Sequence, residues 1–216
     1  MRIGIEALLF DLDGTLIDSK NDLVFSVQQL QKNLGFKPNS EEEITGFIGD
    51  GVVRLVERAL PGCRGKKLTE AVEWFKRYYR IHCLDQTRLY PRVRETLFHF
   101  RDKKLVVVTN KPVRISRRIL ESLGVAPRFR FIYGGDSFKN KKPHPESIQF
   151  VLRKMGISDP RRAVMVGDGV NDVLAGQGAG TLTCGILSGI GNPRALRASR
   201  PDFLLLNTAE LMHIFN

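Results

Sequence analysis

The 216-residue sequence lacks several features that would each have pointed to a class of protein. It has no apolar run long enough to span a bilayer, which argues against a membrane protein. The apolar stretch Ile3 to Phe10 runs straight into Asp11 and Asp13, with no small-residue cleavage site, so it does not read as a secretory signal. Its three cysteines, Cys63, Cys83 and Cys184, are scattered without a Cys-x-x-Cys pair, which argues against structural zinc. The simplest reading is a reduced, cytoplasmic protein with free thiols. No internal repeat or low-complexity tract interrupts the chain.

Hydrophobic residues make up 42% and charged residues 26%, enough for a buried core in one domain or one domain with an insert. The net charge is +11. Residues 18–90 hold 12 basic and 10 acidic residues, so the remainder carries 11 − 2 = +9. Much of that excess lies between Arg101 and Arg130, around an expected helix Arg114–Leu123. Without aromatic interleaving or a nucleic-acid motif, it reads as a solvated basic face that also favours anionic substrates, rather than a nucleic-acid surface.

Short apolar runs alternate with helical patterns. Ile5–Phe10, Leu105–Thr109, Ala163–Gly167, Thr181–Leu187 and Asp202–Leu206 read as strands. Ile115, Ile119, Leu120 and Leu123 recur at helical spacing and stop at Gly124; Ile148, Val151, Leu152 and Met155 do so and stop at Gly156. The alternation predicts an α/β fold, a Rossmann-like parallel sheet with helices on both faces. Residues 18–90 break the rhythm. Leu23, Val27, Leu30 and Leu34 form a helical stripe, Ile44–Leu60 reads as two short helices hinged at Gly49-Asp50-Gly51, and Leu68–Leu84 as a longer amphipathic helix. The expected division is a core of residues 1–17 and 91–216 with an inserted, all-helical domain of residues 18–90.

The strongest chemical signal is Leu9-Phe-Asp-Leu-Asp-Gly-Thr. Asp11 and Asp13 follow an apolar strand, at the edge where α/β sheets gather their chemistry. Two acids there repel unless a cation or shared proton compensates, and Mg²⁺ prefers such hard oxygens. Taken alone, the same residues could be a turn and a cap.

This segment resembles the first motif, Asp-x-Asp-x-Thr, of the haloacid dehalogenase-like hydrolase superfamily. The resemblance implies that Asp11 is a nucleophile forming an aspartyl-phosphate. It implies that Asp13 protonates the leaving oxygen, later activates water, and offers its backbone carbonyl to the metal. Three further motifs follow in order. Thr109 and Asn110 end a strand and match the second, which hydrogen-bonds phosphoryl oxygens; in isolation they would read as a helix cap. Lys142, in Lys-Lys-Pro-His-Pro-Glu, matches the third, a lysine that neutralises the phosphoryl group and the nucleophile. It fits better than Lys141 because Pro143 and Pro145 fix the following loop, and His144 is assigned mainly to loop structure. Gly167-Asp-Gly-Val-Asn-Asp172 matches the fourth: Asp168 is an expected direct Mg²⁺ ligand, and Asp172 holds a metal-bound water or orients Lys142.

Within the superfamily the chain is most similar to the phosphoglycolate phosphatases. The similarity rests on the first motif together with Phe47-Ile-Gly-Asp-Gly-Val-Val, Leu89-Tyr-Pro-Arg-Val-Arg-Glu-Thr-Leu and Val-Val-Thr-Asn-Lys-Pro112. In this light residues 18–90 resemble the cap that covers the active site. Asp50 and Gly169 depart from that group, which often has Asn and Ser there. Asp50 has two readings: a substrate-facing group, or the cap of the helix beginning near Val52. Asp13 argues against dehalogenase and phosphonate hydrolase chemistry. Leu23, where related sugar phosphomutases commonly carry histidine, argues against mutase activity. The expected reaction is Mg²⁺-dependent hydrolysis of a small anionic phosphate ester by a monomer or homodimer. Pyrophosphatase or mutase activity, or a non-catalytic anion-binding role, stands as the alternative.

Overall fold

A computed structural model describes residues 3–216; the first two residues of the expected core segment 1–17 lie outside it. The central sheet has six parallel strands in the order β5-β4-β1-β6-β7-β8. These are β1 (Ala7–Phe10), β4 (Lys104–Val108), β5 (Phe131–Tyr133), β6 (Ala163–Gly167), β7 (Leu182–Ile186) and β8 (Phe203–Leu205). Phe10 pairs with Val107 on one side and Val166 on the other, so the carboxyl ends of the three middle strands fall level. Beyond those ends lie Asp11, Thr109 and Asp168.

All four residues of β1 are buried. The two-residue period of a strand sends Leu8 and Phe10 to one apolar layer and Ala7 and Leu9 to the other. One layer includes Ile119 and Leu120 of α6 (Val113–Ser122); the other includes Ile148, Val151 and Leu152 of α7 (Glu146–Lys154). Covering on both faces is why the strands read as continuous apolar runs. Gly124 and Gly156, just past α6 and α7, adopt φ of 67° and 66°, the left-handed turn expected from sequence.

Residues 18–90 form four helices: α1 (Lys20–Asn33), α2 (Glu41–Thr45), α3 (Val52–Ala59) and α4 (Gly65–His82). Leu23, Val27 and Leu30 of α1 are buried together with Leu55 and Val56 of α3 and Ala71, Val72, Phe75 and Tyr79 of α4. Leu34 departs from the expected stripe. It follows the last turn of α1 and is 43% exposed. A Ser40–Glu43 capping box starts α2.

The base of this segment carries a feature that the sequence reading lacked. β2 (Ile17–Asp18) and β3 (Arg88–Leu89) pair as a two-stranded antiparallel ribbon where the chain leaves and rejoins the sheet. Buried Asp22 reinforces it by accepting hydrogen bonds from the backbone of Gln86 and Thr87 and from the Thr87 hydroxyl. The remaining helices, α5 (Val93–His99), α8 (Val170–Ala179), α9 (Pro193–Ala198) and α10 (Leu211–Ile214), belong to the sheet layers. No described helix is long and apolar enough to cross a membrane.

Candidate active site

Three carboxylates converge beyond the sheet. One oxygen each from Asp11, Asp168 and Asp172 lies within 4.8 Å of the others. Asp11 follows β1, and its backbone N–H donates to Val166 O, so its placement is an extension of the sheet. Asp168 follows β6. Thr15 donates to its Oδ1 at 3.0 Å, and the backbone N–H groups of Ile190 and Gly191 donate to its Oδ2 at 2.8 Å each. Asp172 sits in the first turn of α8 and accepts from Gly169 N at 3.0 Å.

Glycine makes the crowding possible. A Cβ on Gly14, whose φ is +80°, would fall 2.0 Å from Asp168 Oδ2, and one on Gly167 would fall 2.2 Å from the Asp172 carboxyl. The same crowding perturbs the acids. Burial first, then the charges of Asp11 and Asp172, pushes the Asp168 carboxyl up to about 7. Burial likewise raises Asp172, against the pull of Lys142.

Among the described residues, Lys142 supplies the single counter-charge inside this group. Its ammonium lies 2.5 Å from Asp172 Oδ1 and 3.0 Å from Asp11 Oδ1, and donates to Val108 O at 2.6 Å. Burial disfavours its charged form, but the two aspartates outweigh that and raise its pKa. The contact with Asp11 is poorly aligned, so that among the described residues the buried Oδ1 of Asp11 has no well-directed hydrogen-bond donor. Three hard carboxylates with one ammonium between them, one of them carrying an unsatisfied oxygen, form a donor set suited to a divalent cation such as Mg²⁺. Lys141 is exposed, and His144 serves its loop, accepting from Glu146 N at 3.2 Å.

Thr109 and Asn110 reach the same place but are occupied differently. Thr109 Oγ1 accepts from Lys111 N, which leaves its hydroxyl proton available. The Asn110 amide is fully engaged. It donates to Gly49 O and Lys142 O and accepts from Lys142 N, tying the Lys142 loop to the helical segment. Asp13 stands apart from the three-carboxylate group. It accepts from Ser19 Oγ at 2.5 Å and from Lys111 Nζ at 2.8 and 3.0 Å. Asp50 does not line the cavity: Arg58 pairs with it at 2.5 Å and Asn171 donates to it at 2.7 Å, while Gly51 stands at the start of α3.

A cavity over these groups has two unlike walls. The sheet side contributes Asp11, Asp13, Thr109, Lys111, Lys142, Asp168 and Asp172. The helical side contributes mostly apolar residues, Leu23, Ile48, Val52, Leu55 and Phe75, together with Tyr79. Lys111, Tyr79 and Asn171 were not singled out from sequence. For Lys111 a signal existed, a lysine immediately after Thr109-Asn110 at a strand end and before a proline. Tyr79 carried none, since it looked like any other aromatic on a core helix.

Comparisons with known proteins place the chain in a family. Residues 8–186 match the model of the haloacid dehalogenase-like hydrolase family. A phosphoglycolate phosphatase of Haemophilus influenzae is 37% identical over 224 residues, covering 99% of this chain and 100% of its own. A phosphoglycolate phosphatase of Vibrio vulnificus is 35% identical over 219 residues, covering 97% of this chain and 96% of its own. The crystal structure of a predicted phosphoglycolate phosphatase from Haemophilus somnus superposes with a TM-score of 0.91 at 30% identity, covering 97% of both chains.

Proposed function

The chain belongs to the haloacid dehalogenase-like hydrolases and is a phosphoric monoester hydrolase, and from that premise we propose that it cleaves a small phosphate ester of the phosphoglycolate kind through Asp11. The observation that carries this reading is the convergence of Asp11, Asp168 and Asp172 on the buried Lys142 ammonium. Such a site presents a nucleophile, a fixed positive charge for phosphoryl oxygens and a place for a cation.

A carboxylate oxygen of Asp11 attacks phosphorus as the ester P–O bond breaks, and the electron pair leaves with the alcohol oxygen. Asp13 delivers the proton that oxygen needs. In the second half Asp13 takes a proton from water, the water oxygen attacks phosphorus, and the bond to Asp11 breaks to release inorganic phosphate. Lys142 neutralises charge gathering on the phosphoryl oxygens, and the Thr109 hydroxyl donates to one of them. Asp11 and Asp168, with the Asp13 carbonyl, would hold Mg²⁺, and Asp172 would act through water or through Lys142. When bound, Mg²⁺ supplies further charge neutralisation and polarises the phosphoryl group.

Residues 18–90 act in this reading as a cap domain on a core of residues 1–17 and 91–216, excluding water when closed. The apolar wall of Leu23, Ile48, Val52, Leu55 and Phe75 suits a small organic leaving group. It offers little to pyrophosphate, and Leu23 can transfer no proton for a mutase. The protein would work on a cytoplasmic metabolite.

The test is phosphate release by the purified protein with and without Mg²⁺, across phosphoglycolate, pyrophosphate, sugar phosphates and nucleotides. The expected result is Mg²⁺-dependent turnover that is strongest on small carboxylated esters. Asp11→Asn should cost on the order of 10⁴-fold or more in kcat, by analogy with removal of other covalent nucleophiles. Near-normal turnover in that variant would exclude the covalent route.

A further inference from the structure

One buried cation in the cavity has no role of its own in the phosphoryl transfer proposed above. Lys111 has a side chain only 5% exposed. Its ammonium meets Asp13 Oδ1 at 2.8 Å and Oδ2 at 3.0 Å, and the Tyr79 hydroxyl at 2.8 Å. It also lies 4.6 Å from the centre of the Tyr79 ring. Burial opposes its charge, but Asp13 and Tyr79 more than compensate, so it stays an ammonium. The other cations lining the cavity, among the described residues, are committed or wet. Lys142 is held by Asp11 and Asp172, and Lys76 is paired with Glu73 on a side chain 44% exposed.

We propose that Lys111 is the specificity-determining cation of the leaving-group half, receiving a carboxylate carried one carbon from the ester oxygen. The proposal rests on the phosphatase reading above and adds the group that would select among esters. Both Asp13 oxygens are engaged by Lys111, and Oδ1 also by Ser19. When Asp13 carries the proton for the leaving oxygen it is neutral, so Lys111 loses the negative charge opposite it. Lys111 is then a buried ammonium short of an anionic partner, which is costly. A carboxylate α to the ester carbon sits beside the ester oxygen, just as Lys111 sits beside Asp13. It restores that negative charge, whereas a neutral leaving group leaves the ammonium unpaired. Asp50, the acid that could have repelled such a substrate, does not line the cavity and has its charge paired with Arg58. Tyr79, on α4 of the helical segment, keeps Lys111 aimed, so charge recognition is complete only with the segment closed over the sheet.

The experiment compares kcat/KM on phosphoglycolate with that on 2-hydroxyethyl phosphate, a neutral analogue of similar size, for wild type, Lys111→Met and Tyr79→Phe. Wild type should prefer phosphoglycolate. Lys111→Met should lower that preference about 10–100-fold, the worth of a hydrogen bond to a charged group, with the differential loss in KM for phosphoglycolate. Tyr79→Phe, which keeps the ring and the packing, should move the ratio the same way by about 2–10-fold and holds the test open should Lys111→Met fail to fold. Equal losses on both esters in either folded variant would overturn the proposal and make Lys111 only a support for Asp13. A wild type without preference would overturn it too, while Asp11-dependent turnover of both esters left the phosphatase reading intact. Turnover of neither ester by wild type would remove both.

Discussion

Lys142 and Lys111 are both buried ammonium groups at the rim of one sheet, yet they belong to different halves of the site. Lys142 bridges two aspartates that are themselves part of the sheet's edge and the first turn of α8. Its partners Asp11, Asp172 and Val108 O all lie on the sheet side. Lys111 joins Asp13 to Tyr79, one partner from the sheet side and one from α4. On the proposed mechanism the phosphoryl half is built within one layer and the leaving-group half across two, which would separate chemistry common to any phosphate ester from selection among esters.

Asp13→Asn strikes where the halves meet and should show the largest effect. Loss of general acid and base catalysis should slow both formation and breakdown of the phosphoenzyme, by about 10²–10⁴-fold. Full rescue of the rate at high Mg²⁺ would reduce Asp13 to a ligand. Lys142→Ala comes next, with a loss of about 10²–10³-fold expected for a removed transition-state charge partner. Breaking a buried pair also costs about 3–5 kcal/mol of stability, so rates should be compared at matched folded fraction by circular dichroism. Lys141→Ala, on an exposed side chain, should stay within a few-fold of wild type. Equal effects of the two lysine variants would erase the distinction between them.

The acid cluster makes a thermal prediction. The Asp168 pKa in the fold, about 7, is above its ordinary value of 3.8, so the folded state binds the proton more tightly than the unfolded chain does. The stability it contributes is fully present below about pH 4 and is lost as pH rises to 7. A cation requires the ionised form, so its stabilising effect must grow over the same window. At saturating Mg²⁺ the melting temperature should rise by about 5–10 °C at pH 8 and much less at pH 5.5. An equal rise at both would place the cation elsewhere.

Asp50→Asn should have the smallest effect. Its carboxylate faces Arg58 and Asn171 on a partly exposed side chain, where such a pair contributes about 0–1 kcal/mol. The ratio of rates on phosphoglycolate and p-nitrophenyl phosphate should shift by less than about 3-fold. A larger shift toward the carboxylated ester would mean that Asp50 turns inward on closure and shares selection with Lys111.

Elements built from several consecutive residues were legible. The apolar runs at β4 and β6 and the stripes of α6 and α7 carry their period in their own side chains. Three-residue β8 was still legible from its apolar run, but the other short strands carried nothing to read. β5 is only Phe-Ile-Tyr after a basic stretch, and β2 and β3 are strands only because they meet. Three of the four motifs were legible for a related reason: each is a short string at a strand end, whereas Lys142 lies in the loop between β5 and α7 and was read from the resemblance and its flanking prolines.

What the sequence by itself determined is the set of groups that one sheet edge would bring together: Asp11, Thr109, Lys142, Asp168 and Asp172. Strand ends in a parallel sheet share one edge, which places Asp11, Thr109 and Asp168 in space; Lys142, in the loop before α7, and Asp172, in the first turn of α8, came with their motifs. Only the tertiary structure decided the partners across layers. Lys111 and Asp13 are 98 residues apart, Lys111 and Tyr79 are 32 apart on different layers, and Asn171 and Asp50 are 121 apart. Local pattern says which face of its helix Tyr79 occupies, but which ammonium its hydroxyl meets depends on how that helix is laid over the sheet. The same holds for Asp50, whose charge is directed by Arg58 and Asn171 rather than by the glycines beside it. Hydrogen bonds and ion pairs act over a few ångströms, and only the folded chain brings groups so distant in sequence within that reach.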